Sequence, residues 1–114
     1  MAIELISNQT GVTAAGNSQS SPLVLYRVTG VVFHLVVTAA SGTSPSLTVT
    51  IQESIDGTNW ADVKSFTAAT ATGVTRLGWS DVAYGIAKNI AVRWTVSGTS
   101  PSFDFKVLCD PQHF

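Results

Sequence analysis

Charge is the scarcest property of this chain. Charged residues fill 11% of its 114 positions, against about 25% in an ordinary soluble domain. Six Lys and Arg against seven Asp and Glu leave a net charge of −1, and the basic residues form no run. Displacing counterions from a nucleic acid requires a positive stripe, so nucleic-acid binding is excluded as a function class. Cysteine is nearly absent: Cys109 stands alone, without a disulfide partner and without a CxxC or Cys/His cluster to hold zinc. A lone cysteine inside a strand reads as a small buried hydrophobe, and a single thiol fits synthesis in a reducing cytoplasm. No apolar run approaches the roughly 20 residues that cross a bilayer. The opening MAIELISNQ has neither the basic segment nor the apolar stretch of a secretory signal, so no membrane role is expected.

Catalytic apparatus is equally scarce. The two histidines are His34, among apolar strand residues, and His113, in the terminal CDPQHF. Neither neighbours a GxSxG elbow, and His34 reads as a structural histidine with its hydrogen bonds satisfied. No P-loop or Rossmann glycine pattern occurs. Glu53, Asp56 and Asp62 gather around one turn, where carboxylates cap or solvate; calcium would need a denser run of oxygen ligands, and glycosidase chemistry needs two carboxylates facing across a cleft. The expectation is a non-enzyme without metal or cofactor.

Serine, threonine and β-branched residues take the place of charge. Helical periodicity is absent and short alternating segments recur. Strands are expected at residues 2–6, 23–29, 31–40, 47–53, 60–66, 74–79, 89–96 and 103–108. In 47–53, Leu47, Val49 and Ile51 share one face and Thr48, Thr50 and Gln52 the other, as in a half-buried strand. In 89–96, Ile90, Val92, Trp94 and Val96 face one way. Seven or eight short antiparallel strands predict one all-β domain, a β-sandwich of jelly-roll type. Residues 1–22 read as a short strand followed by a flexible polar arm, 23–110 as the sandwich, and 111–114 as a tail.

One hexapeptide, SGTSPS, occurs twice, at residues 41–46 and 97–102, copies 56 positions apart. Ser41, Gly42, Ser44 and Pro45, with Ser97, Gly98, Ser100 and Pro101, read as two hairpin tips and as candidate interaction loops. Glycine permits reversal of the chain, and proline stops the ladder. The downstream strands match, Leu47-x-Val49-x-Ile51 with Phe103-x-Phe105-x-Val107, but the upstream strands bury opposite parities. A favoured turn used twice is therefore the plainer account than duplication of a half-domain.

A second turn is SIDGTNW, residues 54–60. Asp56-Gly57 is a strong turn dipeptide. The stretch resembles the sialidase Asp-box turn, with one residue fewer between Asp56 and Gly57. Asp56 and Gly57 are read as the structural turn, Trp60 as a cover on the end of the core, and Trp94 as core. Trp79 and Tyr84 bracket an irregular segment and are the candidates for exposed, sugar-stacking aromatics.

The stretch VVTAASGTSPSLTVTIQESIDGTNWADV, residues 36–63, is similar to segments of small virion structural proteins of tailed bacteriophages. The shared rhythm is strand, small Gly/Ser/Thr turn, an alternating strand ending in Q/E-x-S-x-D-G-x-x-W, and later a strand carrying an arginine, here Ile90-Ala91-Val92-Arg93-Trp94. The resemblance covers roughly residues 31–108. It implies a β-sandwich that decorates or cements a capsid, binding the major capsid protein on the surface of the virion, commonly as a homotrimer made in the host cytoplasm. A tail or baseplate protein is the alternative, and a carbohydrate-binding module a third.

Overall fold

A computed structural model describes residues 4–25, 30–78 and 89–112. Tyr26, Trp79, Tyr84 and His113 lie outside the described residues. The described chain is all-β: β1 (Glu4–Val12), β2 (Gly16–Asn17), β3 (Leu23–Val24), β4 (Gly30–Ser54), β5 (Ala61–Ser65), β6 (Gly73–Leu77) and β7 (Asn89–Gln112). All pairings are antiparallel, with β1, β2 and β3 on β7, β7 on β4, and β5 and β6 on β4.

Two strands dominate, β4 with 25 residues and β7 with 24. A straight strand of that length would run roughly 80 Å, yet the molecule measures 43 Å along its longest axis. Trp94 and Phe105, eleven residues apart on β7, would be separated by roughly 36 Å in a straight strand; their rings meet edge to face with centroids 5.5 Å apart. Both long strands therefore bend sharply midway, and the sheet folds back on itself. Residues 30–41 and 102–112, flanked by β1 and β6, form one layer. Residues 46–54 and 89–97, flanked by β5 and by β2 and β3, form the other. Between the layers lies a single core, in which Val31, Phe33, Leu35, Leu47, Val49, Ile51, Ile90, Val92, Phe103 and Val107 are fully buried. The expected β-sandwich is present.

The bends are the two SGTSPS segments, which corrects the hairpin reading. They are not separate tips: they lie inside β4 and β7 and pair with each other, Ser41 with Ser102, Thr43 with Thr99 and Ser46 with Ser97. Their backbones match. Gly42 and Gly98 have φ of 110° and 116°, Ser44 and Ser100 of 50° and 48°. A Cβ on Gly42 would lie 2.7 Å from the carbonyl oxygen of Ser100, and one on Gly98 2.7 Å from that of Ser44. Glycine is thus demanded by close backbone approach as well as by φ.

The pairings also revise the preference for a turn merely used twice. Moving the earlier residue of a pair on by the 56-residue spacing and the later one back by it converts one pair into another: Ala40–Phe103 becomes Val96–Leu47, and Asn17–Arg93 becomes Gly73–Val37. The chain is built as two equivalent halves about a pseudo-two-fold axis through the Thr43–Thr99 pair. Each half's leading segment lies on the long strand of the other: residues 4–24 on β7, residues 61–77 on β4.

The polar stretch read as a flexible arm is likewise corrected. β1 continues to Val12, with Gly11 donating its N–H to Asp104 Oδ1 at 2.7 Å. Ser18 exchanges two bonds with Val92, N to O at 2.9 Å and Val92 N to Ser18 Oγ at 3.0 Å. The segment is small because it is close: a Cβ on Gly16 would stand 2.7 Å from the Trp94 ring. It is polar because it is an edge, and it occupies backbone groups of β7 that would otherwise be open.

Candidate functional site: the interaction surfaces

Side chains alternate along a strand, so a buried inner set fixes the outer one. On the first layer, Phe33, Leu35, Phe105 and Val107 point inward. Val32, His34 and Val36 on β4, Lys106, Leu108 and Asp110 on β7, Val74 and Arg76 on β6 and Leu5 on β1 therefore point outward. The rows on this face run Leu5, Leu108, His34, Arg76 and then Asn8, Lys106, Val36, Val74. Leu5 is 51% and Val74 62% exposed. A groove of about 270 Å³ crosses the face, lined by Val32, His34, Arg76, Leu108, Cys109 and Asp110. His34 is exposed, not the satisfied structural histidine that its apolar neighbours suggested, because it falls on the outer parity of β4. Cys109 is buried, and desolvation pushes its thiol up to about 12, so it is inert as a nucleophile at neutral pH.

The outer face of the second layer is polar. It carries Thr48, Thr50, Gln52, Arg93 and Thr95, with Asp62 from β5. A hydrogen-bonded row crosses it. Gln19 Nε2 donates to Gln52 Oε1 at 2.7 Å, and Gln52 Nε2 to Asp62 Oδ1 at 3.0 Å. Arg93 grips Asp62 with Nε on Oδ1 at 3.0 Å and Nη2 on Oδ2 at 2.8 Å. These bonds, the guanidinium first, lower the Asp62 carboxyl from its ordinary 3.8 to about 2. Thr50 and Ser65 hydroxyls meet at 2.8 Å. The row ties β5 and the N-terminal segment across β4 and β7.

At the end of the second layer away from the bend, residues 54–59 form a tightly tied turn. Asp56 Oδ1 accepts from the backbone N–H of Thr58 at 2.9 Å and of Asn59 at 2.8 Å and from Ser54 Oγ at 3.0 Å; its Oδ2 accepts from Asn59 Nδ2 at 2.7 Å. The two backbone donors are the main reason its carboxyl is held well below the usual range. Gly57, at φ 78°, donates its N–H to the buried Ser54 Oγ at 2.8 Å, and Asn89 Nδ2 bonds the Ser54 carbonyl at 3.0 Å. Ile55 is 88% exposed on this frame and itself lines a shallow groove of about 220 Å³, with Glu53, Ser54, Asp56, Asn59 and Ala61.

Of the residues singled out in sequence, Asp56 and Gly57 make this turn, and Trp94 is core at 7% exposure. Trp60 is half-buried and outside the core cluster, a correction of the core assignment. It precedes β5, an edge strand from which only Val63 packs against the core. The hexapeptide side chains Ser41, Ser44, Ser97 and Ser100 are exposed and Pro45 and Pro101 half-buried, so the eight candidate loop residues form one continuous surface at the bend. Sequence reasoning missed Ile55, the glutamine row and the apolar outer face. The last had a signal: VVFHLVV is apolar at both parities except at His34.

No described protein family and no curated protein matches the sequence. Among solved structures, the chain is similar to the PBSX exported protein XepA, with a TM-score of 0.64 at 17% identity over 99% of this chain; the chain spans 37% of the length of that protein. Weaker likenesses are to the CBM22-1–GH10 modules of the Clostridium thermocellum endo-1,4-β-D-xylanase 10B and to the broad bean stain virus. The xylanase gives a TM-score of 0.47 at 8% identity, covering 96% of this chain and 28% of that one. The virus gives 0.43 at 15%, covering 73% and 54%. The likeness to XepA is one of fold.

Proposed function

We propose that this chain is a non-enzymatic structural protein of a tailed-bacteriophage virion, and that it decorates the assembled head. The observation that carries the proposal is the difference between its two outer faces. The layers are built alike, yet one face is polar and knitted by hydrogen bonds while the other exposes Leu5 and Val74 and leaves Val32, Val36 and Leu108 half-buried beside them. A free protein with so little charge gains nothing from such a face, and one that is covered on assembly does. The face carries both signs, Arg76 and Lys106 with Asp104 and Asp110, as a surface packed against further copies of itself requires. The fold likeness to the PBSX exported protein and the phage-like rhythm of residues 36–63 support the same reading. On it, neighbouring copies, three to a cluster, cover the first layer, and the remaining surface is left for the major capsid protein.

The test is titration of the purified protein onto assembled, undecorated heads of the parent phage. Saturation at a fixed ratio to the major capsid protein is the expected result. Binding to isolated tails with none to heads would place the protein in the tail instead, and retention on a glycan array without particle binding would favour the carbohydrate-binding alternative.

A further inference from the structure

Divided at Gly57, the chain gives a first half, residues 1–56, that carries β1 to β4, and a second, residues 57–114, that carries β5 to β7. Among the described residues, every strand pairing joins one half to the other. β1, β2 and β3 lie on β7 and not on β4; β5 and β6 lie on β4 and not on β7. The isolated bridge between Leu47 and Ala69 also crosses. The core is shared in the same way: Leu35 stands opposite Val107, Val49 opposite Trp94 and Ile51 opposite Val92. Neither half has a ladder of its own. Alone, each would expose the backbone groups and the apolar face that the other closes.

One stretch of backbone connects the halves, the turn at residues 54–60. Asp56 in the first half accepts from Thr58 and Asn59 in the second, and the chain reverses so that Ala61 pairs with Glu53. The ladder between the halves is indifferent to whether they share that turn: the same registers form when the second half comes from another copy. We infer that the surface each half presents to the other is also a surface between copies. When the turn is unable to close, two chains exchange halves, and the first half of each pairs with the second half of the other. The partner is a second copy of this chain, and the product is a closed dimer of two complete sandwiches. The exchange holds whether or not the protein decorates a head.

Removal of residues 55–60 tests the exchange. It leaves Ser54 alone between Glu53 and Ala61, which pair in the native fold, and the tightest common hairpins need two residues. Thr48 and Thr95, one from each half, pair on the outer face of the second layer, and paired strand residues lie within the Cα separation that a disulfide spans. With the turn intact, oxidised Thr48→Cys/Thr95→Cys should run as a single chain on a non-reducing denaturing gel. With residues 55–60 removed it should run as a covalent dimer, and association through any other surface does not register on such a gel. A disulfide that stays within one shortened chain overturns the exchange. Should the shortened chain fail to fold, the full-length protein decides, cut after folding at a protease site inserted between Thr58 and Asn59. Its halves should stay together and, once unfolded, pair again, with a melting temperature that rises with protein concentration. Halves that part on cutting, or that do not pair again, overturn the proposal.

Discussion

Single residues at the bend decide whether the long strands can fold over. Gly42 and Gly98 combine a left-handed φ with a backbone oxygen 2.7 Å from where a Cβ would sit. Gly42→Ala and Gly98→Ala should each cost about 3 kcal/mol or more, the strain of the conformation with the clash added. Ser44 and Ser100 are also left-handed, at φ 50° and 48°, and a non-glycine residue there bears about 1–2 kcal/mol of strain. Ser44→Gly should therefore fall within about 1 kcal/mol of wild type, relief of strain offsetting the greater freedom of the unfolded chain. Urea titration of the three variants separates the positions; equal losses at Gly42 and Ser44 would contradict the geometry. Asp62 sets an acid limit. Its folded pKa is below its unfolded value, so its contribution to stability is complete above about pH 4 and is lost as pH falls toward 2. Asp62→Asn should be less stable than wild type at neutral pH and show a shallower decline over that window. The Asp56-Gly57 turn was legible because both residue types act locally. The partner of Gly42 was not, since it lies 58 residues on, at Ser100.

Among the elements, central and edge strands bear different burdens. Trp94 sits in β7 between layers, against Phe105 and under Gly16, and Trp94→Ala should cost about 3–5 kcal/mol. Trp60 stands before the edge strand β5 and is half-buried, so Trp60→Ala should cost about 1–2 kcal/mol, its transfer free energy without a large cavity. Denaturant titration of the two, side by side, tests the ranking; a larger loss at Trp60 would put the core nearer the turn. Alternation in Leu47–Gln52 and Ile90–Val96 made the second layer readable, inner and outer sets included. Residues 8–22 misled because polarity and glycine mark a loose loop and a fitted edge segment alike. The merging of two expected strands into β4, and two into β7, was hidden for a related reason. Gly-Thr-Ser-Pro is turn chemistry, and only the second copy, 56 residues away, supplies the pairing that makes it a bend.

For the whole molecule, the pseudo-two-fold axis makes the asymmetry of its faces informative. Two halves that share a backbone plan have diverged in what they present: a polar, hydrogen-bonded layer and an apolar one. Self-association through the apolar layer should give a trimer whose stability changes little with salt, because hydrophobic burial carries it rather than ion pairs. Light scattering of the isolated protein at tens of micromolar, at low and high salt, checks this; a monomer at both would remove self-association as an intrinsic property. The central claim is that the protein is a head decoration whose apolar first layer is covered by copies of itself. Cryo-electron microscopy of the parent particle tests it most directly. The account predicts three-fold clusters on the outside of the head, with first layers turned toward one another. Density confined to the tail, or copies on the head with their first layers turned to solvent, would contradict it.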